Sequence, residues 1–512
     1  MKKLVTILLA ALLTFSAVLP AFAADVREID VMVWYRDIDE LNFAEMPYYN
    51  DPDNGITVQS GVKANFNQVK GADWSTKLNL VLASGNYPDI IMHGGIDLEM
   101  YGVDEEVLLP LEESIEKYMP NYKALLDADP ALASSLTSSN GHVYQIGWLI
   151  PQNINTESHL FINKQWLDRL GLDVPGTIEE FEQALIAFRD KDADGDGNPS
   201  NEIPFGGPMT PMVDGVLHLL SFWGIPYNER FVSIDDDGNI YSWLKSDAMR
   251  EALETIHRWY ADGMIDVEAV TQDTNSAEAK INAGTIGSTW RWRMSAMGTD
   301  EAIYSQYVCL MPFSADGYSA KLSYYLEVPT FGAALTVGCE DVEAACKWLD
   351  TQLEWENMIN GYNGMRGDFW DYDEDGKVDI FPMSDGTRTV PGQSSMYYCS
   401  GEAYFAAVNM PPHRIEKSDY CAEYTKAGVI EKNSWQTLTK LVTYTVEESV
   451  EMDLRFADVD KYAREAIAGF IVKGVTDDGW NTYLKTLDNI QLDGYLSILQ
   501  TAYDRYLEAN AN

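Results

Sequence analysis

Apolar positions along this chain follow two periods, and the two alternate. Ile29 to Tyr35 is a short, nearly continuous apolar run of the kind a buried strand shows. Trp74 to Leu82 reads as a helix closed by the turn Ser84-Gly85-Asn86, after which Asp89 to Met92 returns as a strand. Thr177-Ile178-Glu179-Glu180 is a capping box behind Pro175 and Gly176. Phe181, Ala184, Leu185 and Phe188 follow at i, i+3, i+4 and i+7, which predicts a helix burying that face. Val143 to Ile146 and Thr285 to Ser288 read as further strands. Near the end, Tyr495, Ile498, Leu499, Ala502, Tyr503 and Tyr506 make one helical stripe with Asp504 and Arg505 outside it, so this helix docks on the body. Strands alternating with helices, without repeats or a low-complexity linker, predict an α/β protein whose domains are interwoven by several chain crossings.

Composition sets the scale of that reading. The chain has 512 residues, 46% of them hydrophobic and 12% aromatic, enough for more than one packed core. Its 36 basic against 80 acidic residues leave a net charge of −44, which repels nucleic-acid phosphate, anionic lipid and polyanionic ligands. Cys309, Cys339, Cys346, Cys399 and Cys421 contain no CxxC pair, which fits neither a disulfide scaffold nor a zinc ribbon. At the start, Lys2 and Lys3 precede an apolar stretch from Leu4 to Leu19 and a small-x-small site at Ala21-Phe22-Ala23. This is the pattern of a secretory signal peptide over residues 1–23, with the mature chain beginning near Ala24. The run is short for a membrane span, no later segment reaches that length, and no lipid-anchor cysteine follows it. The expectation is an extracytoplasmic chain, secreted or periplasmic, with no membrane insertion once the signal is cleaved.

Three acidic, glycine-containing stretches differ in what they imply. Asp192, Asp194, Asp196 and Glu202 place four carboxylates within eleven residues, with Gly195 and Gly197 allowing a turn and Asn198 able to offer its carbonyl. Alternating oxygen ligands converge in this way on calcium, and otherwise the loop is a solvated acidic turn. Counted from Asp192, Glu202 is eleventh, where an EF-hand has its glutamate twelfth. The run from Asp371 through Asp373 and Asp375 to Asp379 is similar to that loop but lies beside strand-like residues, which favours a plain hairpin turn over a cation site, and the run Asp235-Asp236-Asp237-Gly238-Asn239 reads as a hairpin turn. Catalytic signatures fail to appear: the chain holds no GxSxG, no HExxH, no phosphate loop and no dinucleotide fingerprint. Its six histidines are scattered without metal-ligand spacing. Carboxylate pairs carry no signal against so many acids.

Aromatic residues able to stack and to hydrogen-bond are what the chain has in excess: 14 Trp, 29 Tyr and 17 Phe. Sugar rings offer apolar C–H faces to such side chains while their hydroxyls bond neighbouring polar groups, so a cleft rich in both suits a neutral carbohydrate. Trp290 and Trp292, two apart after a strand-like segment, are the leading pair. On an extended chain both indoles point to one side, and the pattern leaves core and ligand contact equally open. Trp34, Tyr35, Trp148 and Trp370 are further candidates, for which composition slightly favours the core.

The order of several segments resembles a known family. Lys77 to Met92 is similar to the early helix, turn and strand of the extracellular solute-binding proteins that serve ABC importers, in the branch that handles sugars and oligosaccharides. Gly141 to Tyr144 resembles that family's entry to its second lobe, and Phe161 to Gly171 with Pro175 and Thr177 resembles the segment that follows. Ala279 to Gly287, then Trp290 and Trp292, resembles the glycine and tryptophan motif of maltose-type members, and Tyr495 to Tyr506 the closing helix of a long-chain subgroup. The resemblance covers most of residues 25–340 and 455–507.

It implies a two-lobed periplasmic-binding-protein-like fold of type II, with a hinged cleft between lobes. The expected lobes are 24–150 plus 323–380, and 151–322 plus 381–512. It implies ligand contact by Trp290 and Trp292, and less directly by Trp34, Tyr35, Trp148 and Trp370, as well as structural calcium at Asp192, Asp194, Asp196, Asn198 and Glu202. The expected function is a non-catalytic, monomeric binding protein that presents a carbohydrate, an oligosaccharide above all, to an ABC transporter permease. The alternatives are a binder of peptide or another solute, and a secreted glycoside hydrolase.

Overall fold

The computed structural model describes residues 26–35, 42–128, 136–148, 158–209, 215–292, 301–323, 330–381, 408, 409, 412–431, 435, 438, 442 and 444–509. Residues 1–23, read above as a signal peptide, and Cys399 lie outside them. The strands are β1 (Arg27–Tyr35), β2 (Val62–Lys70), β3 (Ile90–Met92), β4 (Ile146–Trp148), β5 (His159–Asn163), β6 (Ile203–Phe205), β7 (Val232–Ile234) and β8 (Ile240–Ser242). There follow β9 (Ile286–Arg291), β10 (Tyr307–Leu310), β11 (Leu322–Ser323), β12 (Thr330–Leu335), β13 (Trp370–Tyr372), β14 (Val378–Ile380), β15 (Val408–Asn409) and β16 (Ile430–Glu431).

Two sheets organise the chain. The first has the order β2-β1-β3-β12-β4, with β1 parallel to β2 and β3 and with β12 antiparallel to both β3 and β4. The run read as the first strand is β1, and Val31, Met32 and Val33 at its centre are fully buried. The helix Trp74–Ser84 ends on Gly85 at φ 71, the left-handed conformation that glycine adopts without strain. Around this sheet one core gathers residues from Ile29 to Ile146 together with Ala333 to Leu353.

The second sheet has the order β10-β5-β9-β6, with β9 antiparallel to β5 and parallel to β6. Its core runs from Leu160 to Leu322 and takes in Tyr424 to Tyr503 from the distal part of the chain. The helix Ile178–Asp190 packs here as its periodicity predicts, with Phe181, Ala184, Leu185 and Phe188 all buried. Thr177 caps it by accepting the Glu180 N–H at 3.2 Å, but the Glu180 carboxylate reaches back to the Gly176 N–H at 2.8 Å. The reciprocal bond of the box is therefore made one residue early. The terminal helix Leu492–Ala509 buries Tyr495, Leu499, Ala502 and Tyr503 in the same core. Both acidic runs read as hairpins are hairpins, β7 with β8 and β13 with β14. Among the described residues no disulfide joins Cys309, Cys339, Cys346 or Cys421, and burial pushes the thiols of Cys339 and Cys346 up to about 12. Among the described residues no helix is long and apolar enough to cross a membrane.

Candidate functional site

In open α/β sheets, ligands bind outside the carboxyl ends of parallel strands, where backbone and loop groups are left unpaired. In the first sheet Tyr35 pairs with Lys70 at the ends of β1 and β2, and Val33 pairs with Met92, the last residue of β3. Because β12 runs the other way and β4 runs back against it, Trp148 faces Thr330 at this same edge. Trp34, Tyr35 and Trp148, far apart in sequence, are thus brought to one end of one sheet, and Lys70 and His93 join them. Trp34 and Tyr35 are half-buried, packed against two different cores; the Lys70 ammonium stands 5.9 Å from the Tyr35 ring centroid.

The backbone after β3 is held in an unusual shape. His93 adopts φ 69, uncommon for a residue with a side chain, while its N–H donates to the Gly332 carbonyl at 2.8 Å. Its ring nitrogen Nε2 is sealed from solvent, and burial pushes the imidazole down to about 4, so it is neutral at pH 7.

The matching end of the second sheet is built from the start of β5 and the ends of β6 and β9. His159 pairs with Arg291, and Phe205 with Ser288. Gly206 and Gly207 follow β6. A Cβ on Gly207, at φ 135, would fall 3.2 Å from the Gly215 Cα and 3.3 Å from Thr289 Oγ1. Gln272 fixes this turn by donating to the Gly207 carbonyl at 2.9 Å and to Asp266 at 3.1 Å. Arg291, nearly sealed at 4% side-chain exposure, bonds Glu278 of the helix Thr274–Asn282 at 2.5 Å. Ser158 Oγ lies 3.1 Å from His218 Nε2, and the His218 ring sits between Tyr227 and Trp290, with centroids 5.1 and 5.8 Å away. Residues 149–157 join the two ends directly, from Trp148 to Ser158. Ten peptide steps span no more than roughly 35 Å, which bounds the separation of the two strand edges.

The expected tryptophans divide on this geometry. Trp292, just past β9, is half-buried. Trp290 has no exposed surface and packs in the second core against His218 and Phe222. The expectation of a stacking Trp290 is corrected, because a ring closed on both faces cannot receive a sugar. The physical reason is the position of β9, an inner strand of its sheet with all six residues buried. Trp370 is corrected likewise. It is fully buried in a small cluster with Ile359 and Val378, and its indole N–H is satisfied by Asn360 Oδ1 at 3.1 Å and the Gly364 carbonyl at 2.9 Å.

The loop Asp192–Glu202 leads straight into β6. One carboxylate oxygen from each of Asp192, Asp194 and Asp196 lies within 4.8 Å of the others. Three negative charges at such spacing repel by about 1 kcal/mol per pair even in water, so the arrangement favours a cation. The Asp192 carboxylate accepts the N–H groups of Gly195 and Gly197, at 2.9 and 3.1 Å, and Asp196 accepts that of Asn198 at 2.7 Å. Glu202 folds back so that its Oε1 accepts the Ala193 N–H at 2.7 Å, while Oε2 is buried with no hydrogen-bond partner. The Asn201 Oδ1 is also buried without one. Orphaned oxygens beside three aspartates fit a hard cation, which would supply the missing positive partner. Arg169 clamps the loop from outside by donating to the Ala193 carbonyl.

Comparison with known proteins follows the same lines. The family model of the bacterial extracellular solute-binding proteins matches residues 59–354. The fructooligosaccharide ABC transporter substrate-binding protein FusA of Streptococcus pneumoniae serotype 4 is 27% identical over 493 residues, covering 90% of this chain and 89% of that protein. The structure of S. pneumoniae FusA in complex with kestose superposes with a TM-score of 0.82 at 24% identity, over 94% of this chain and 100% of the other. A FusA EF-hand mutant in complex with fructo-nystose gives a TM-score of 0.79 at 23% identity, with the same coverage. These structures share the two-lobed α/β fold of type II.

Proposed function

The chain belongs to the bacterial extracellular solute-binding protein family, and from that premise we propose that it captures an oligosaccharide between its lobes and presents it to the permease of an ABC importer. The observation that carries this reading is the convergence of Trp34, Tyr35 and Trp148 on one strand edge, joined through residues 149–157 to a second edge bearing Trp292, Arg291 and Glu278. Half-buried rings such as those of Trp34, Tyr35 and Trp292 stack the apolar faces of sugar rings, and the polar groups beside them bond the hydroxyls. No bond in the ligand is made or broken; the work is recognition, hinge closure and delivery.

The two cores support lobes of about 24–150 plus 323–380 and 151–322 plus 381–512, since each core draws on both of its segments. Calcium is proposed at Asp192, Asp194, Asp196, the Asn198 carbonyl and Glu202, where it would cross-link the loop ahead of β6. The neighbour carrying an EF-hand mutation fits that reading. The signal pattern over residues 1–23 supports export, and the protein is taken to act as a monomer. Fluorescence titration with kestose and other neutral oligosaccharides tests the reading: saturable quenching or enhancement of tryptophan emission is expected, and a flat response to the whole panel overturns it.

A further inference from the structure

We propose that the turn His93-Gly94-Gly95-Ile96, which leaves β3, holds the ligand through its backbone: the N–H groups of Gly94, Gly95 and Ile96 donate to hydroxyl oxygens of one sugar residue. The proposal rests on the carbohydrate reading above and adds to it a set of donors that no side chain supplies.

The topology places this turn. In the order β2-β1-β3, the chain leaves β1 for a neighbour on one side and comes back to a neighbour on the other. A crevice opens at such a switch point, outside the carboxyl ends of the strands, and ligands of open α/β sheets bind there. β1 runs two residues past its last pair with β3, Val33 with Met92, so Trp34 and Tyr35 stand beside the turn.

The backbone supplies the donors. The sign of φ alternates along the turn, 69 at His93, negative at Gly94 and 73 at Gly95. Alternation of this kind aims successive N–H groups to one side and makes a concavity for an electron-rich oxygen. The His93 N–H is engaged by the Gly332 carbonyl, whereas those of Gly94, Gly95 and Ile96 meet no acceptor among the described residues. All three residues are half-buried. Donors so placed take their partner from water or from a ligand.

The turn is backed on one side and open on the other. Trp74 supports it by donating to the Gly95 carbonyl, while a Cβ added at Gly95 would meet nothing within 4 Å. Trp34 and Ile96 pack against the same cluster as Trp74, which sets the half-buried Trp34 ring and the free donors in one subsite. The ring stacks the apolar face of a sugar and the N–H groups fix its hydroxyls. Asp97 and Glu99 follow directly, and with the net charge of −44 they oppose an anion, so a neutral hydroxyl is the oxygen that fits.

The test replaces Gly95 by glycolic acid, which turns its N–H into an ester oxygen. The Gly94 carbonyl, the other group that the ester alters, accepts no hydrogen bond among the described residues. Kestose, raffinose and maltotriose are titrated into the full chain by calorimetry, with calcium present. The sugar that the wild type binds best should lose about fivefold to tenfold in affinity, the effect of one hydrogen bond. The melting temperature should stay unchanged, because this N–H bonds nothing within the protein. A wild-type dissociation constant in the ester overturns the proposal. So does a loss of affinity that comes with a lowered melting temperature, which would make the N–H a support of the fold. A wild-type chain that binds none of the three sugars overturns instead the carbohydrate reading beneath it.

Discussion

Trp74 lies directly beneath Gly94: the indole N–H donates to the Gly95 carbonyl at 3.1 Å, and a Cβ added at Gly94 would fall 2.0 Å from the ring. The tryptophan opening the helix Trp74–Ser84 therefore fixes the backbone that leaves β3, at the edge where Trp34 and Tyr35 end their strand. Gly94→Ala must displace either the ring or the turn. The expected outcome is a loss of about 1 to 3 kcal/mol in stability, the range of overpacked cores, with weakened ligand binding. Urea unfolding and titration of the same sample check it; wild-type values in both would show that the turn relaxes freely.

Trp34 and Trp290 should respond to truncation in opposite ways. Trp34→Ala removes a half-buried ring at the strand edge, and affinity should fall by about 1 to 3 kcal/mol with little change in melting temperature. Trp290→Ala empties the core beside Phe222 and His218 and should cost about 3 to 5 kcal/mol of stability. Thermal melts and binding isotherms on both variants separate the roles, and a destabilised Trp34→Ala beside a stable, non-binding Trp290→Ala would reverse them.

Those two tryptophans show where pattern stops being informative. The helix Ile178–Asp190 was legible because a 3.6-residue period names the buried face, and its four apolar positions are the ones that pack. The hairpins were legible because their acidic turns contain glycine between short apolar runs. A strand period names two faces without saying whether one or both are covered. For β9, between β5 and β6, both are, and Trp290 went inside. Arg291 and Glu278 carry no local signal, because their pairing needs the strand and helix to be placed first. His93 could have been noticed as a histidine followed by two glycines straight after a parallel strand, a place where sites are built.

Stability should fall with acid through His93. Its folded pKa, about 4, lies below the ordinary value near 6.5, so between the two the unfolded chain binds the extra proton. This contribution is complete above about pH 6.5 and is lost as pH falls toward 4. The ring nitrogen is sealed but the residue keeps some surface, so the expected loss from pH 7 to pH 5 is on the order of 1 to 2 kcal/mol. His93→Asn, which tolerates the positive φ, should flatten that part of the profile. Denaturant melts at the two pH values decide the matter, and parallel slopes in wild type and variant would remove His93 from the account.

Calcium should act as a clamp on the loop ahead of β6. Chelator is expected to lower the melting temperature, with a free-energy loss of about 3 kcal/mol where free calcium had stood at a hundred times its dissociation constant. Asp194→Ala should melt lower than wild type in calcium and lose the response to chelator. Calorimetric scans with and without chelator check both; a wild type indifferent to chelator would leave the acidic cluster a bare turn.

The most direct measurement of the central claim is calorimetric titration of the wild-type chain with neutral oligosaccharides, followed by chromatography of the recovered sugar. The account predicts saturable heat at one site per chain and a ligand recovered intact. Shortened sugars in the eluate, or no heat with any member of the panel, would contradict it.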